Sequence, residues 1–116
     1  MKLEINRRKW RRGSGDSALL MPKEADEFAG QMCCLGFLAR AVGHTRKEIY
    51  DYSKPSEIDA PKDFIVDNLL YKNRKDNNLC GKLMQVNDND KIDDTKRESL
   101  LTKLFKKIGV NVVFVR

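Results

Sequence analysis

Two arginines followed by a glycine-rich turn form the segment near the N-terminus that is most suited to binding an anion. Arg11 and Arg12 precede the tripeptide Gly13-Ser14-Gly15. Exposed backbone N–H groups beside two guanidinium groups can hold a phosphate. The turn is too short for a nucleotide-hydrolase phosphate loop, and no Gly-Lys-Ser/Thr follows it. The segment is therefore either a phosphate-binding turn or a flexible surface turn.

Three cysteines, Cys33, Cys34 and Cys80, introduce thiol chemistry as a second possibility. A nucleophilic cysteine needs a pKa lowered by a helix N-terminus, a cation or a histidine. The one histidine, His44, falls past the far end of the helix predicted to follow Cys33, roughly 15 Å away. Because buried cysteines commonly pack as small apolar residues, a thiol enzyme is the least favoured class. An odd count with an adjacent pair also favours a reducing compartment over a disulfide framework.

Metal and cofactor sites are not predicted. Three cysteines and one histidine without paired spacing do not supply a structural zinc site. The acidic stretch Asn87–Asp94 lacks the central glycine and the bidentate glutamate of a calcium loop. We therefore expect a solvated turn there, and a binding protein rather than an enzyme.

A helix-turn-helix-like unit over Leu35–Tyr52 is another candidate for binding anions. Such units have a small residue where the helices cross, a glycine in the turn and an apolar residue that packs the second helix. Ala39, Gly43 and Ile49 have the spacing of these three positions. The second helix would present Thr45, Arg46, Lys47 and Tyr50 as groove contacts. Against a DNA-reading role, that helix is about two turns long and Glu48 would also face the phosphates.

The net charge of +6 is concentrated at the two ends of the 116-residue chain. Met1–Arg12 and Lys96–Arg116 each carry six cations and one carboxylate, which leaves −4 for the residues between them. If the ends meet in the fold, they form a basic face centred on Arg8, Arg11 and Arg12. Such a face attracts phosphates, although surface Lys and Arg also serve solubility alone.

Two helices and a C-terminal strand are predicted to position these groups. Apolar residues on one helical face predict a helix over Met32–Val42 that ends at Gly43. A capping box of Thr95 and Glu98 predicts a second helix reaching Ile108. The segment Val110–Val115 is apolar on both faces and predicts an inner strand, paired with Lys2–Asn6 or Ser17–Met21. The expected fold is one α+β domain over residues 1–116, with a short, mostly antiparallel sheet.

Shorter elements complete the prediction. We expect a turn of helix over Arg7–Arg12 capped by Asn6, an irregular segment over Lys23–Gly30 and a helix from Arg46 to Tyr52 with a Thr45/Glu48 capping box. Further along we expect a loop from Pro55 to Pro61, an apolar segment Asp63–Tyr71 of ambiguous type, a turn over Lys72–Asn78 and a helix over Leu79–Val86.

Several sequence pieces occur together in a recognisable order. They are Trp10 before a glycine-containing turn, the tetrapeptide Cys33-Cys34-Leu35-Gly36 at a helix start, and the pair Asn87-Asp88 after a short helix. In this combination the chain resembles a family of small uncharacterised accessory proteins of bacteriophages and prophages. The resemblance implies a host-takeover or anti-defence protein in the cytoplasm of an infected bacterium, with no cofactor.

Charge and resemblance together predict a non-enzymatic protein that binds a phosphate-bearing ligand. The expected partners are a nucleotide signal, a nucleic acid or a host defence protein; no membrane is expected, and self-association is left open. The alternatives are an inhibitor docking on a host protein and a helix-turn-helix-like DNA binder. The candidate ligand-binding residues are Arg8, Trp10, Arg11, Arg12, Gly13, Arg46, Lys47, Asn87 and Asp88.

Overall fold

The sheet joins the two ends of the chain, as the sequence predicted. In the computed structural model, which describes residues 1–52 and 79–116, strand β1 (Lys2–Asn6) pairs with β2 (Asn111–Val115). The Met1 ammonium group donates to the Gly109 carbonyl at 2.9 Å, and Asn111 N–H donates to the Met1 carbonyl at 2.8 Å. The described residues form one small domain of helices packed on this sheet.

The direction of the sheet corrects the prediction, because the two strands are parallel and not antiparallel. No short turn links them, so packing alone sets their direction. Parallel pairing places Phe114 opposite Ile5, at the end of β1 that leads into Trp10. The rings of Trp10 and Phe114 then lie 5.1 Å apart, and the Arg7 guanidinium lies 5.9 Å from the Phe114 ring centre.

Two strand predictions were wrong in detail. β2 is not buried on both faces, since Val113 is 39% exposed while Val112 and Phe114 pack against the core. The segment Ser17–Met21 is not a strand of this sheet. It is a buried extended segment whose backbone bonds go to two different neighbours: Leu19 N–H donates to Tyr52, and Met21 N–H donates to Gln31. Leu20 adds one isolated bridge to Tyr50.

Residues 1–52 and 79–116 contain four α-helices. They are α1 (Cys34–Ala41), α2 (Arg46–Ile49), α3 (Leu79–Asp88) and α4 (Asp94–Lys106). Short 3₁₀ turns span Arg7–Lys9, capped by the Asn6 side chain as predicted, and Lys23–Phe28, which was expected to be irregular. The other elements predicted between Pro55 and Asn78 lie outside the described residues.

The caps of the helices follow the sequence in one case and depart from it in another. Thr45 and Glu48 form the predicted capping box of α2. In α4 the cap is Asp93, whose carboxylate accepts from Lys96 N–H, and not Thr95. With Asp93 as the cap, Glu98 is five residues further on and outside a capping box. Glu98 instead accepts two hydrogen bonds from Arg7, at 2.7 and 2.8 Å.

The core explains the glycine of the Cys-Cys-Leu-Gly tetrapeptide. Helix α1 is buried from Cys34 to Ala39. A Cβ on Gly36 would lie 1.9 Å from the Leu19 carbonyl oxygen, closer than any real contact. The buried Ser17–Met21 segment therefore packs directly on the backbone of α1, and only glycine fits there.

Candidate ligand-binding site

The two arginines of the N-terminal segment are engaged within the protein. Arg11 donates to Asp16 Oδ1 at 2.6 and 3.1 Å, and its guanidinium lies 3.8 Å from the ring centre of Phe28. Arg12 donates to Asp94 Oδ2 at 3.0 and 3.3 Å. These carboxylates neutralise the cations that the sequence assigned to a phosphate.

Arg12 is bound further by the backbone around it. Its Nη1 donates to the carbonyls of Arg7 and Trp10, both at 3.0 Å, and its guanidinium lies 4.6 Å from the Trp10 ring centre. Trp10 itself is 2% exposed. Arg12 therefore holds the turn after β1 closed over the core.

Asn87 is the centre of a buried hydrogen-bond network. Its Oδ1 accepts from Trp10 Nε1 at 2.8 Å and from Cys34 N–H at 3.0 Å. Its Nδ2 donates to the Arg11 carbonyl at 3.0 Å and to Asp88 Oδ1 at 2.9 Å. With 0% exposure and both donors and both acceptors used, Asn87 has no polar atom left for a ligand.

Arg97, which sequence analysis did not single out, supports the same network. It is 4% exposed and donates to the carbonyls that end α3 and begin the following turn: Val86, Asn87, Asn89 and Ile92. Gly13 has a φ of +72°, and a Cβ there would lie 3.4 Å from Arg97 Nη2. The glycine of the Arg-Arg-Gly turn thus allows close packing on a buried arginine. Nothing in the local sequence distinguishes Arg97 from the exposed cations of α4.

Asp88 lies beside this network, half-buried against α1. Burial raises the pKa of its carboxyl group, and the hydrogen bond from Asn87 opposes that rise. The space that it lines with Ser17 and Cys33 is about 10 Å³. That volume has room for a water molecule and not for an organic ligand.

A much larger groove lies between the Met21–Gly30 loop and α2. Its volume is about 400 Å³, within the range of small-molecule sites. The loop is closed at its base, where Gly30 N–H donates to the Met21 carbonyl at 3.0 Å. The lining carries three cations, an aromatic ring and an apolar floor: Lys23, Arg46, Lys47, Tyr50, Leu20 and Met21.

The charged side chains that line this groove are all cations, and the carboxylates of the same loop, Glu24, Asp26 and Glu27, are exposed outside the lining. The carboxylate on α2, Glu48, points back to the helix start, where it accepts from Thr45 N–H at 2.8 Å. That hydrogen bond is the main cause of its lowered pKa. Arg46 extends over the loop, since a Cβ on Gly30 would lie 3.6 Å from Arg46 Nη2. No carboxylate lines the groove among residues 1–52 and 79–116.

A second groove, of about 430 Å³, lies between β1 and α1, and its cations are already used. Lys2 Nζ is 3.3 Å from Glu4 Oε1, and Arg40 Nη1 donates to the His44 carbonyl at 2.9 Å. Glu4 also lines this groove. An anion would therefore meet a carboxylate and two engaged cations there.

The chain ends do form the predicted basic surface in part. Arg8 and Lys9 are exposed on the 3₁₀ turn after β1, at the end of the sheet where β2 finishes. Neither side chain lines either of the two grooves or the small space beside Asp88. Their environment is an open surface and not a site with walls.

The cysteines are placed for packing rather than for nucleophilic attack. Cys33, Cys34 and Cys80 are buried and reduced. Burial raises the pKa of Cys33 to about 12 and raises that of Cys34 well above its usual value. A thiolate is therefore scarce near neutral pH.

Comparison with protein-family models, curated proteins and solved structures found no match for this chain. The resemblance to bacteriophage accessory proteins therefore stays a prediction from the sequence. Among the described residues, no helix is both long and apolar enough to cross a bilayer.

Only some of the residues that line the groove were predicted from the sequence. Arg46, Lys47 and Tyr50 were predicted as outward contacts of the second helix of the helix-turn-helix-like unit. Lys23 was not predicted as a contact, since the loop that brings it beside α2 is closed by a backbone bond between Met21 and Gly30. Residue types alone do not indicate such backbone hydrogen bonds.

Proposed function

We propose that the protein is a non-catalytic binding protein for a phosphate-bearing ligand, and that the ligand is held in the groove of Lys23, Arg46 and Lys47. The observation that carries this proposal is the pairing of a walled cavity with three cations and no lining carboxylate among the described residues. Phosphates are held by such convergent cations, and arginine adds bidentate geometry.

The groove is favoured over the predicted Arg8–Arg11–Arg12 face on electrostatic grounds. A phosphate at Arg11 or Arg12 would have to displace Asp16 or Asp94 from its hydrogen bonds. At Arg46 and Lys47 no ion pair to another described residue has to be broken. The net gain from a ligand is therefore larger in the groove.

The other candidate functions find less support. The second helix of the helix-turn-helix-like unit has only four residues, one turn, which is short for a helix that reads a DNA groove. Among described residues, the large apolar side chains that are exposed are Met1, Tyr50 and Val113, a small set for a docking face. A host-takeover or anti-defence role stays a prediction that rests on the resemblance.

Charge reversal in the groove tests this proposal. Calorimetric titration would compare the unchanged protein, the double variant Arg46→Glu/Lys47→Glu and the matched variant Arg8→Glu/Lys9→Glu. The probes are inorganic tripolyphosphate and the four common nucleoside triphosphates, at about 50 mM salt. We expect the groove variant to bind at least about tenfold more weakly, because two attractive charges become repulsive.

The matched variant has the same change in net charge, but on an open surface. It therefore distinguishes binding in the groove from nonspecific electrostatic attraction to the protein. We expect its affinity to stay within about threefold of the unchanged protein. Equal losses in the two variants would contradict a groove site and support diffuse attraction by the chain ends. Absence of binding of every probe at millimolar concentration would contradict the proposed function altogether.

A further inference from the structure

Tyr50 is the feature of the groove that an inorganic phosphate site would not need. It is 41% exposed, yet it is fixed at both ends. Its hydroxyl oxygen accepts from Lys23 N–H at 2.9 Å, across the groove from α2 to the loop. Its backbone forms the bridge to Leu20. An aromatic ring is thus held rigidly in the wall, beside the three cations.

The floor of the groove is also unlike a site for phosphate alone. Leu20 and Met21 are nearly fully buried and contribute apolar surface beneath the ring. A bare phosphate makes no favourable contact with such a surface. A ligand with a flat apolar ring next to its phosphates would cover the floor and reach the cations at the same time.

On the basis of the proposed function, we infer that the ligand is a nucleoside phosphate whose base stacks on Tyr50 while its phosphates contact Arg46, Lys47 and Lys23. Bases stack on aromatic side chains largely irrespective of their identity. The volume of about 400 Å³ suits one nucleotide rather than a strand. A rigid ring loses little conformational freedom on binding, which favours its use as a platform.

The experiment compares ligands with and without a base, against variants with and without an aromatic ring. Calorimetric titration would use adenosine, guanosine, cytidine and uridine triphosphates, inorganic tripolyphosphate and a ten-residue thymidine oligonucleotide. The variants are Tyr50→Leu, which keeps an apolar side chain, and Tyr50→Phe, which keeps the ring and loses only the hydroxyl. Urea unfolding would verify that each variant is folded.

We expect at least one nucleoside triphosphate to bind about tenfold or more tightly than tripolyphosphate, the gain expected from one stacked base. Tyr50→Leu should remove that difference, and its affinity for tripolyphosphate should equal that of Tyr50→Phe, which loses the same hydroxyl contact with Lys23 N–H. Tyr50→Phe should keep most of the difference. If Tyr50→Phe also binds the nucleoside triphosphate no more tightly than tripolyphosphate, the ligand contacts the Tyr50 hydroxyl and its base does not stack on the ring.

Two results would overturn the inference and leave the proposed function intact. In the first, tripolyphosphate binds as tightly as every nucleoside triphosphate and still depends on Arg46 and Lys47. In the second, the oligonucleotide binds more than tenfold more tightly than any mononucleotide, which would assign the groove to nucleic acid. If the proposed function itself is wrong, charge reversal at Arg46 and Lys47 changes the affinity for none of the probes, which distinguishes this outcome from the other two.

Discussion

Two cationic regions of this protein use the same residue type in opposite ways. The N-terminal Arg11 and Arg12 are surrounded by partners, with a carboxylate and an aromatic ring for each. Arg46 and Lys47 border a groove and make no ion pair with another described residue. A guanidinium beside a carboxylate stabilises the fold, whereas one beside an open cavity is available to a ligand. Local charge density alone does not distinguish the two.

The N-terminal region is also bound to the interior by hydrogen bonds, whereas the side chains of Arg46 and Lys47 are exposed. The turn at Arg11 and Gly13 is bound through its backbone to Asn87, which in turn contacts Trp10 and α1. Damage here should therefore appear as lost stability. Damage at the groove should appear as lost binding. This contrast orders the predictions that follow.

The largest stability effect is expected for Asn87→Ala. The change leaves Trp10 Nε1, Cys34 N–H and the Arg11 carbonyl without their partner in a site that is fully buried. Each unsatisfied buried group costs about 1–3 kcal/mol, so we expect a total loss of about 3–5 kcal/mol. Urea unfolding followed by Trp10 fluorescence measures it.

The same variant tests whether Asn87 contacts a ligand. Under conditions where Asn87→Ala is still folded, its affinity for nucleoside triphosphates should match that of the unchanged protein. A loss of stability below about 1 kcal/mol would contradict the structural role. A tenfold loss of binding with stability retained would restore Asn87 as a ligand residue, as the sequence first suggested.

The fold was predictable where local pattern and tertiary packing agree. Periodic apolar residues located α1 and α4, and the alternation of Lys2–Asn6 located β1, one of the two segments considered as partners of the C-terminal strand. The strand direction was not predictable, because it depends on where Phe114 meets Trp10. The cap of α4 was missed for a similar reason: Glu98 fits a capping box in sequence, but Arg7 from the other chain end binds it.

The site was predictable only in part, and the misses have one cause. Arg46 and Lys47 were identified from their place on the second helix of a helix-turn-helix-like unit, which is local information. Arg12 was assigned to a ligand because its partner, Asp94, lies 82 residues away in the sequence. Contacts over such separations decide whether a cation is free, and a single sequence does not record them.

A smaller effect is expected when single arginines of the two regions are truncated. Arg12→Ala removes two bonds to backbone carbonyls, the contact with the Trp10 ring and the pair with Asp94. We expect it to lower the free energy of unfolding by about 1–2 kcal/mol. Arg46→Ala should change that free energy by less than about 0.5 kcal/mol, as is usual for surface positions. Equal urea midpoints for these two variants would remove the distinction between the regions.

The smallest expected effect is the dependence of stability on acid pH. Hydrogen bonding by Arg12 lowers the pKa of Asp94 below its usual 3.8, and Arg97 adds to the shift. Because the folded carboxyl group holds its proton less tightly than the unfolded one, this stabilisation is present above pH 3.8 and is lost as the pH falls through the folded pKa. Asp94 is half exposed, so solvent screening limits the contribution to about 0.5 kcal/mol.

Asp94→Asn should therefore flatten the stability profile below about pH 5, measured by urea midpoints. Arg46→Ala, with no such partner among the described residues, should follow the profile of the unchanged protein. Asp94→Asn raises the net charge by one and Arg46→Ala lowers it by one, so opposite shifts of the acid profile in the two variants would show that net charge, and not the Arg12–Asp94 pair, sets the acid response.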